Sequence, residues 1–184
     1  MNLIIEENLI LEIASEKHAL RLFNAVDNNR KHLSVFLPWV PHMQSSDNML
    51  QYLKNCELLY KNNKEISFVI LYNGALVGRI GLHYIDLQNK TASIGYWLAK
   101  DAEGKGIVTK CCIKLIAYAF EELNLNRLEL KAAEKNLRSQ AIPEKLNFKK
   151  EGILREAEYI NNEFVNLQLY SLLKSEWNNR IPFL

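Results

Sequence analysis

The chain alternates between stretches with a strand-like period and stretches with a helical one. Residues 3–13, LIIEENLILEI, are mostly apolar and read as one strand. Ser15 then offers an N-cap, and Leu20, Phe23 and Val26 set a helical stripe behind it. LSVFLPWVP is an apolar elbow broken by Pro38 and Pro41. Ser46 or Asp47 is expected to cap a second helix, on which Met49, Leu53, Cys56 and Tyr60 share a face. ISFVILY and ALVGRIGLHYI flank Asn73-Gly74, a strong two-residue hairpin signal. A strand follows over 92–98, then the longest expected helix over 104–123. RLELKA reads as a strand and 136–146 as a helix. A last hairpin joins 151–160 to 163–173 through Asn161-Asn162. The expected order is β-α-α-β-β-β-α-β-α-β-β: about seven strands and about four helices. Antiparallel pairs flank one β-α-β crossover, which gives a mixed α/β sheet rather than a doubly wound one.

Composition narrows the classes. With 184 residues, 48% hydrophobic and 24% charged, the chain suits one globular domain over 1–184. A net charge of +2, with no basic block on one face, argues against direct nucleic-acid binding. The acidic residues within the apolar N-terminus fit neither a signal peptide nor a membrane span. Cys56, Cys111 and Cys112 have no metal-binding or disulfide spacing. The four histidines show no ligand pattern either, so no metal is expected. Free thiols imply a reducing compartment, and a soluble cytoplasmic protein is the expectation.

The stretch YWLAKDAEGKGIVTK carries the strongest chemical signal. A strand ending at Leu98, glycines at 104 and 106 and an immediate helix start make an anion site. The first turn of a helix presents unpaired N–H groups and the positive end of its dipole, and glycine lets a phosphate approach the backbone. Two common phosphate loops are excluded. Thr109 stands where G-x-G-x-x-G needs its third glycine, and Lys105 is followed by Gly106 rather than Ser or Thr.

EGKGIVT after IGYWL resembles the pyrophosphate loop, Q/R-x-x-G-x-G/A, of the GCN5-related N-acetyltransferases (GNAT). Glu103 replaces the usual Gln or Arg, and Val108 replaces Gly or Ala. Both positions should act mainly through backbone amides. Glu103 nevertheless brings a negative charge to the phosphates unless its side chain points away. NLRSQAIPEKLNFKKEGIL resembles the family's second motif, with Asn147-Phe148 at the usual Gly-Phe turn; asparagine also tolerates a left-handed helix end. FLPWV, NKTASIGYWL, NLRSQA and EAEYINNEF resemble the RimL/RimJ-type ribosomal-protein acetyltransferase branch, over roughly 36–173. The resemblance implies acetyl-CoA as cofactor, held by Leu98, Glu103, Gly104, Lys105, Gly106, Ile107, Val108 and Thr109. It also implies a sheet splayed between the 92–98 and 127–132 strands, with Asn136 at the cofactor's thiol end. For this branch it is compatible with a homodimer.

Acetyl transfer to an amine needs a proton acceptor, a steadied oxyanion and a proton donor for the departing sulfur. Many members carry a tyrosine seven residues after the motif asparagine, but here that position is Pro143. The branch implies Ser139 as the proton donor and Glu158 as the base, with His83 and Asp86 as rivals. Trp39 in its proline elbow is a candidate wall of the acceptor groove or a packing residue. His83 and Tyr96 are further candidates for contact with the acceptor, and Trp97 reads as core. An α-amine (pKa near 7.8) is easier to deprotonate at neutral pH than a lysine (near 10.4), by roughly 3.5 kcal/mol. A ribosomal-protein N-terminus is therefore the first expectation for the acceptor. A small polyamine or aminoglycoside substrate, and a non-catalytic acyl-CoA-binding module, remain as alternatives.

Overall fold

The computed structural model describes residues 1–178; the last six residues of the expected 1–184 domain lie outside the described residues. The strand expected over 3–13 is a hairpin instead. β1 (Asn2–Glu6) and β2 (Leu9–Ile13) pair antiparallel around Glu7-Asn8. The turn carries neither Gly nor Pro, which is why the pattern concealed it. The helical stripe behind Ser15 begins as a single 3-10 turn and continues as α1 (Ala19–Asp27), followed by short α2 (Arg30–Leu33). Helix α3 (Ser46–Lys61) is capped one residue before the expected position. The Ser45 hydroxyl accepts the Asn48 N–H.

β3 (Ile66–Tyr72) and β4 (Ala75–Asp86) form the expected hairpin, with Asn73 and Gly74 both at positive φ (50° and 75°). β5 (Thr91–Leu98) returns antiparallel to β4. Helix α4 (Ile107–Ala117) starts three residues later than expected, because Gly104 and Gly106 both take left-handed backbone conformations. It continues as a π turn over Tyr118–Glu122. β6 (Arg127–Ala133), α5 (Leu137–Lys145), β7 (Lys149–Ile160) and β8 (Glu163–Leu173) follow, and α6 (Lys174–Asn178) ends the described chain. Asn147 closes α5 at φ 53°, the left-handed exit expected of it.

Among the described residues the sheet has eight strands, in the order β1-β2-β3-β4-β5-β6-β8-β7. Only β5 and β6 run parallel, as a crossover through α4 requires. Alternation along the strands separates two cores. Ile80, Leu82, Ala92, Ile94 and Leu98 pack with Cys111, Leu115 and Ile116 of α4 on one face. Val69 and Trp97 pack with Leu22, Val26, Met49 and Leu53 of α1 and α3 on the other. All three cysteines are buried free thiols, and burial pushes Cys111 up to about 12.

On the α3 face lies a charged cluster that no local pattern announced. Arg79, 9% exposed, donates from Nη2 to Glu65 Oε1 at 2.6 Å and to the Ser67 hydroxyl. Its guanidinium lies 5.1 Å from the Tyr52 ring centroid and 3.8 Å from Cys56 Sγ, both on α3. His83 Nδ1 donates to the other oxygen of Glu65 at 2.9 Å. Burial pushes the Glu65 carboxyl up. The His83 hydrogen bond and charge, the Arg79 charge and the Ser67 hydroxyl outweigh it and hold the carboxyl at about 2.

A folded value below the ordinary 4.5 means that the stabilisation is complete above pH 4.5 and lost as pH falls through about 2. Glu65→Gln should therefore lower the thermal midpoint at pH 7, since breaking a buried pair costs about 3–5 kcal/mol. Midpoints measured from pH 7 to pH 2 should show the gap to wild type closing on acidification. A gap independent of pH would show that the charge of Glu65 is not what stabilises.

Candidate active site

The β5–β6 ladder is where the sheet opens. Parallel pairing runs from Thr91↔Arg127 to Ile94↔Leu130 and then stops. Gly95 to Leu98 stay paired with β4 on one side but have no strand on the other, while β6 continues against β8. The splay expected from the resemblance is thus present.

One cavity, of about 930 Å³, lies beside the glycine loop. It is lined by Leu98, Glu103, Gly104, Gly106, Ile107, Val108, Thr109 and Asn136, all expected to hold the cofactor. Lys105 is the exception. It does not line the cavity, and its ammonium lies 5.8 Å from the Tyr72 ring centroid. A Cβ built on Gly104 or Gly106 would meet nothing within 4 Å, so the loop is open to a ligand. The first-turn N–H groups at 107–109 have no partner within the helix. The loop therefore fits a pyrophosphate by geometry and by backbone charge.

The Glu103 side chain does not point away from this cavity. Its carboxylate pairs with Arg138 of α5, and its other oxygen lies 3.2 Å from His32 Nε2 of α2. Arg138 and His32 line the same cavity, so the carboxylate forbidding to phosphates is neutralised by Arg138 and flanked by the His32 ring. Sequence reasoning missed both partners. They lie 35 and 71 positions from Glu103, and nothing local links them.

A second cavity, of about 680 Å³, lies beneath the Pro38–Pro41 elbow and between β5, β6 and β7. Trp39, Tyr52, Glu65, Arg79, His83, Lys131 and Glu158 line it. Glu158 is presented by a bulge. β7 advances from Leu154 to Glu158 while β8 advances only from Leu167 to Val165, and Glu156 takes a φ of 50°. The Asn166 side chain accepts the Glu156 N–H at 2.9 Å and fixes the distortion. At the hairpin tip Asn161 donates to the Ser34 carbonyl at 3.2 Å and so ties β7–β8 to the elbow. Burial raises the Glu158 carboxyl above its ordinary value, and among the described residues no cation pairs with it. Asp86 is a different case. It accepts the N–H groups of Gln88 and Asn89 in the β4–β5 turn and does not line the cavity.

The two cavities share Tyr96, Trp97, Asn136 and Ser139, with Phe36 and Leu37. The Asn136 side chain caps α5 by accepting the Ser139 N–H at 3.2 Å. The Tyr96 hydroxyl donates to the Ser139 carbonyl at 3.0 Å, and Ser139 Oγ donates to the Tyr96 oxygen at 3.3 Å. Burial raises the Tyr96 phenol, which stays protonated. Tyr96 therefore sits at the junction of the cavities, in contact with Ser139. Trp97 is buried as expected, with Trp39 against it at 6.4 Å between ring centroids. The chemistry available is a groove for an anionic cofactor leading, through a gap in the sheet, to a pocket with one unpaired carboxylate.

Comparison with known proteins agrees with this geometry. The model of the "Acetyltransferase (GNAT) domain" family matches residues 8–149. The "Putative ribosomal N-acetyltransferase YdaF" of Bacillus subtilis is 40% identical over 94% of this chain and 95% of its own. The ribosomal-protein-serine acetyltransferase of Escherichia coli is 28% identical over 91% of this chain and 93% of its own. A solved structure of RimL, the ribosomal L7/L12 alpha-N-protein acetyltransferase in complex with coenzyme A, superposes with a TM-score of 0.92. It covers 96% of this chain and 99% of its own at 24% identity, a likeness of fold. Among the described residues no helix is long and apolar enough to cross a membrane. The non-catalytic binding-module alternative falls with the family match, for the chain belongs to the GNAT acetyltransferases and is an acetyl-CoA-dependent N-acetyltransferase.

Proposed function

We propose that this enzyme acetylates the N-terminal α-amine of a protein, with a ribosomal protein as the acceptor, in the manner its relatives' names describe. The observation that carries the reading is the charge of the acceptor cavity. A polycation such as a polyamine calls for several convergent free carboxylates. Of those in or near this site, Glu65 is neutralised by Arg79, Asp86 is used in a turn, and Glu103 belongs to the other cavity. Glu158 alone remains unpaired, with Lys131 and the buried Arg79 lining the same space. One carboxylate suits one ammonium.

Acetyl-CoA supplies the activated acetyl group as a thioester. The chain's own groups do the rest. Glu158, made a stronger base by burial, holds the incoming ammonium and takes its proton, directly or through water. An α-amine asks little of such a base, as it is already neutral in about one molecule in seven at pH 7. Ser139, whose hydroxyl lies in the junction, donates a proton to the departing sulfur and regains one from solvent, while Tyr96, which stays protonated and donates to the Ser139 carbonyl, holds it in place. Asn136 fixes the start of α5 and so the place of Ser139. Trp39 walls the acceptor side.

Turnover followed as free-thiol release should occur with a peptide bearing a free serine N-terminus. It should be absent with the same peptide N-terminally blocked and carrying lysine, and with spermidine. Turnover on spermidine or lysine instead would reverse the acceptor assignment. Glu158→Gln should lower kcat about a hundredfold or more at an unchanged thermal midpoint, the usual scale for losing a positioned base. Arg138→Gln leaves the Glu103 charge exposed to the phosphates. By calorimetry it should weaken acetyl-CoA binding severalfold, and adding Glu103→Gln should restore it. Weak binding that persists in the double variant would mean that Arg138 acts on the cofactor itself and not on Glu103.

A further inference from the structure

The Glu65–His83 pair stands in the acceptor cavity with no part in the chemistry above. Glu65, ionised and anchored by Arg79 and Ser67, can only accept, which fixes a proton of the His83 ring on Nδ1. In the neutral form of the ring the other nitrogen, Nε2, is a bare acceptor. The ring lies against Gly95, where a Cβ would come to 3.0 Å from Nε2 and Cδ2, so a larger residue there would require the ring to shift. Gly95 is the first residue of β5 beyond the last pair with β6. Nε2 is thus held beside the point where the sheet opens. Its ring is partly exposed, and Ser93, Lys131 and Glu158 line the same cavity.

Resting on the acceptor reading above, we propose that His83 determines which N-terminal residue is preferred. Its Nε2 accepts a hydrogen bond from the side-chain hydroxyl of a terminal serine or threonine, while Glu158 holds the adjacent amine. Both groups line this cavity, from β4 and β7, and the hydroxyl and amine of one serine residue present two donors close together. A terminal alanine leaves Nε2 desolvated with no partner, and a site built for a hydroxyl rejects a substrate that lacks one. Glu65 acts through His83 as a positioning residue. Arg79, held by one edge with its Nε without a partner, steadies Glu65 in turn.

The test is kcat/KM for two peptides that differ only in a first residue of serine or alanine, measured for wild type, His83→Phe and His83→Gln. Wild type should prefer serine by about tenfold or more. His83→Phe should bring the ratio close to one. His83→Gln, whose amide oxygen reaches about as far as Nε2, should restore part of it. The folded fraction of each sample cancels in the ratio, so a loss of stability cannot imitate the effect. An unchanged ratio in His83→Phe, or a wild type that turns over both peptides without preference, overturns the inference alone. No turnover on either peptide defeats the acceptor reading itself, and this inference with it.

Discussion

The interaction on which the structure turns is one that ends. The parallel ladder between β5 and β6 holds for four residue pairs and then stops at Ile94 and Leu130. Beyond that point the backbone N–H and C=O groups of Gly95 to Leu98 that point away from β4 face an opening, and buried backbone groups require partners. An amide-bearing ligand arm laid along the strand would supply them, as a neighbouring strand does. The opening also joins the cavity on the α4 face to that on the α3 face. A continuous sheet would have sealed one from the other. The glycine loop, the start of α5 and the β7 bulge all lie around this gap, each contributing one wall.

Two charged clusters adjust the cavities on either side. On the cofactor side Glu103 replaces the Gln or Arg usual in the loop motif, and Arg138 and His32 close around it. The motif's departure is thus compensated across the groove, by residues brought from α5 and α2. On the acceptor side Arg79 and Glu65 neutralise one another, which leaves Glu158 as the unpaired carboxylate of the pocket among the described residues. The same Arg79 lies against Tyr52 and Cys56 of α3, so it fastens a helix to the sheet while setting the charge of the pocket. The groups that stabilise this face also line the pocket, and a substitution at Glu65 touches both.

The sequence alone determined the features that depend on neighbours in the chain. Asn73-Gly74 and Asn161-Asn162 turn hairpins because their own backbones accept positive φ. Gly104 and Gly106 mark a phosphate loop for the same reason, and the strands and helices follow from side-chain periodicity. Where a turn had no such residue, as at Glu7-Asn8, the hairpin was not legible, nor was the bulge at Glu156. The tertiary structure decided the rest. It set where the β5–β6 ladder stops, which places Tyr96 on Ser139 across 43 positions. It gave Glu103 its compensating cation, Arg138, and joined Glu65, Arg79 and His83 into one cluster. Long-range pairings depend on how whole elements pack, and no short stretch of the chain carries that information. A carboxylate in a sequence has a sign, but only the fold supplies its partner.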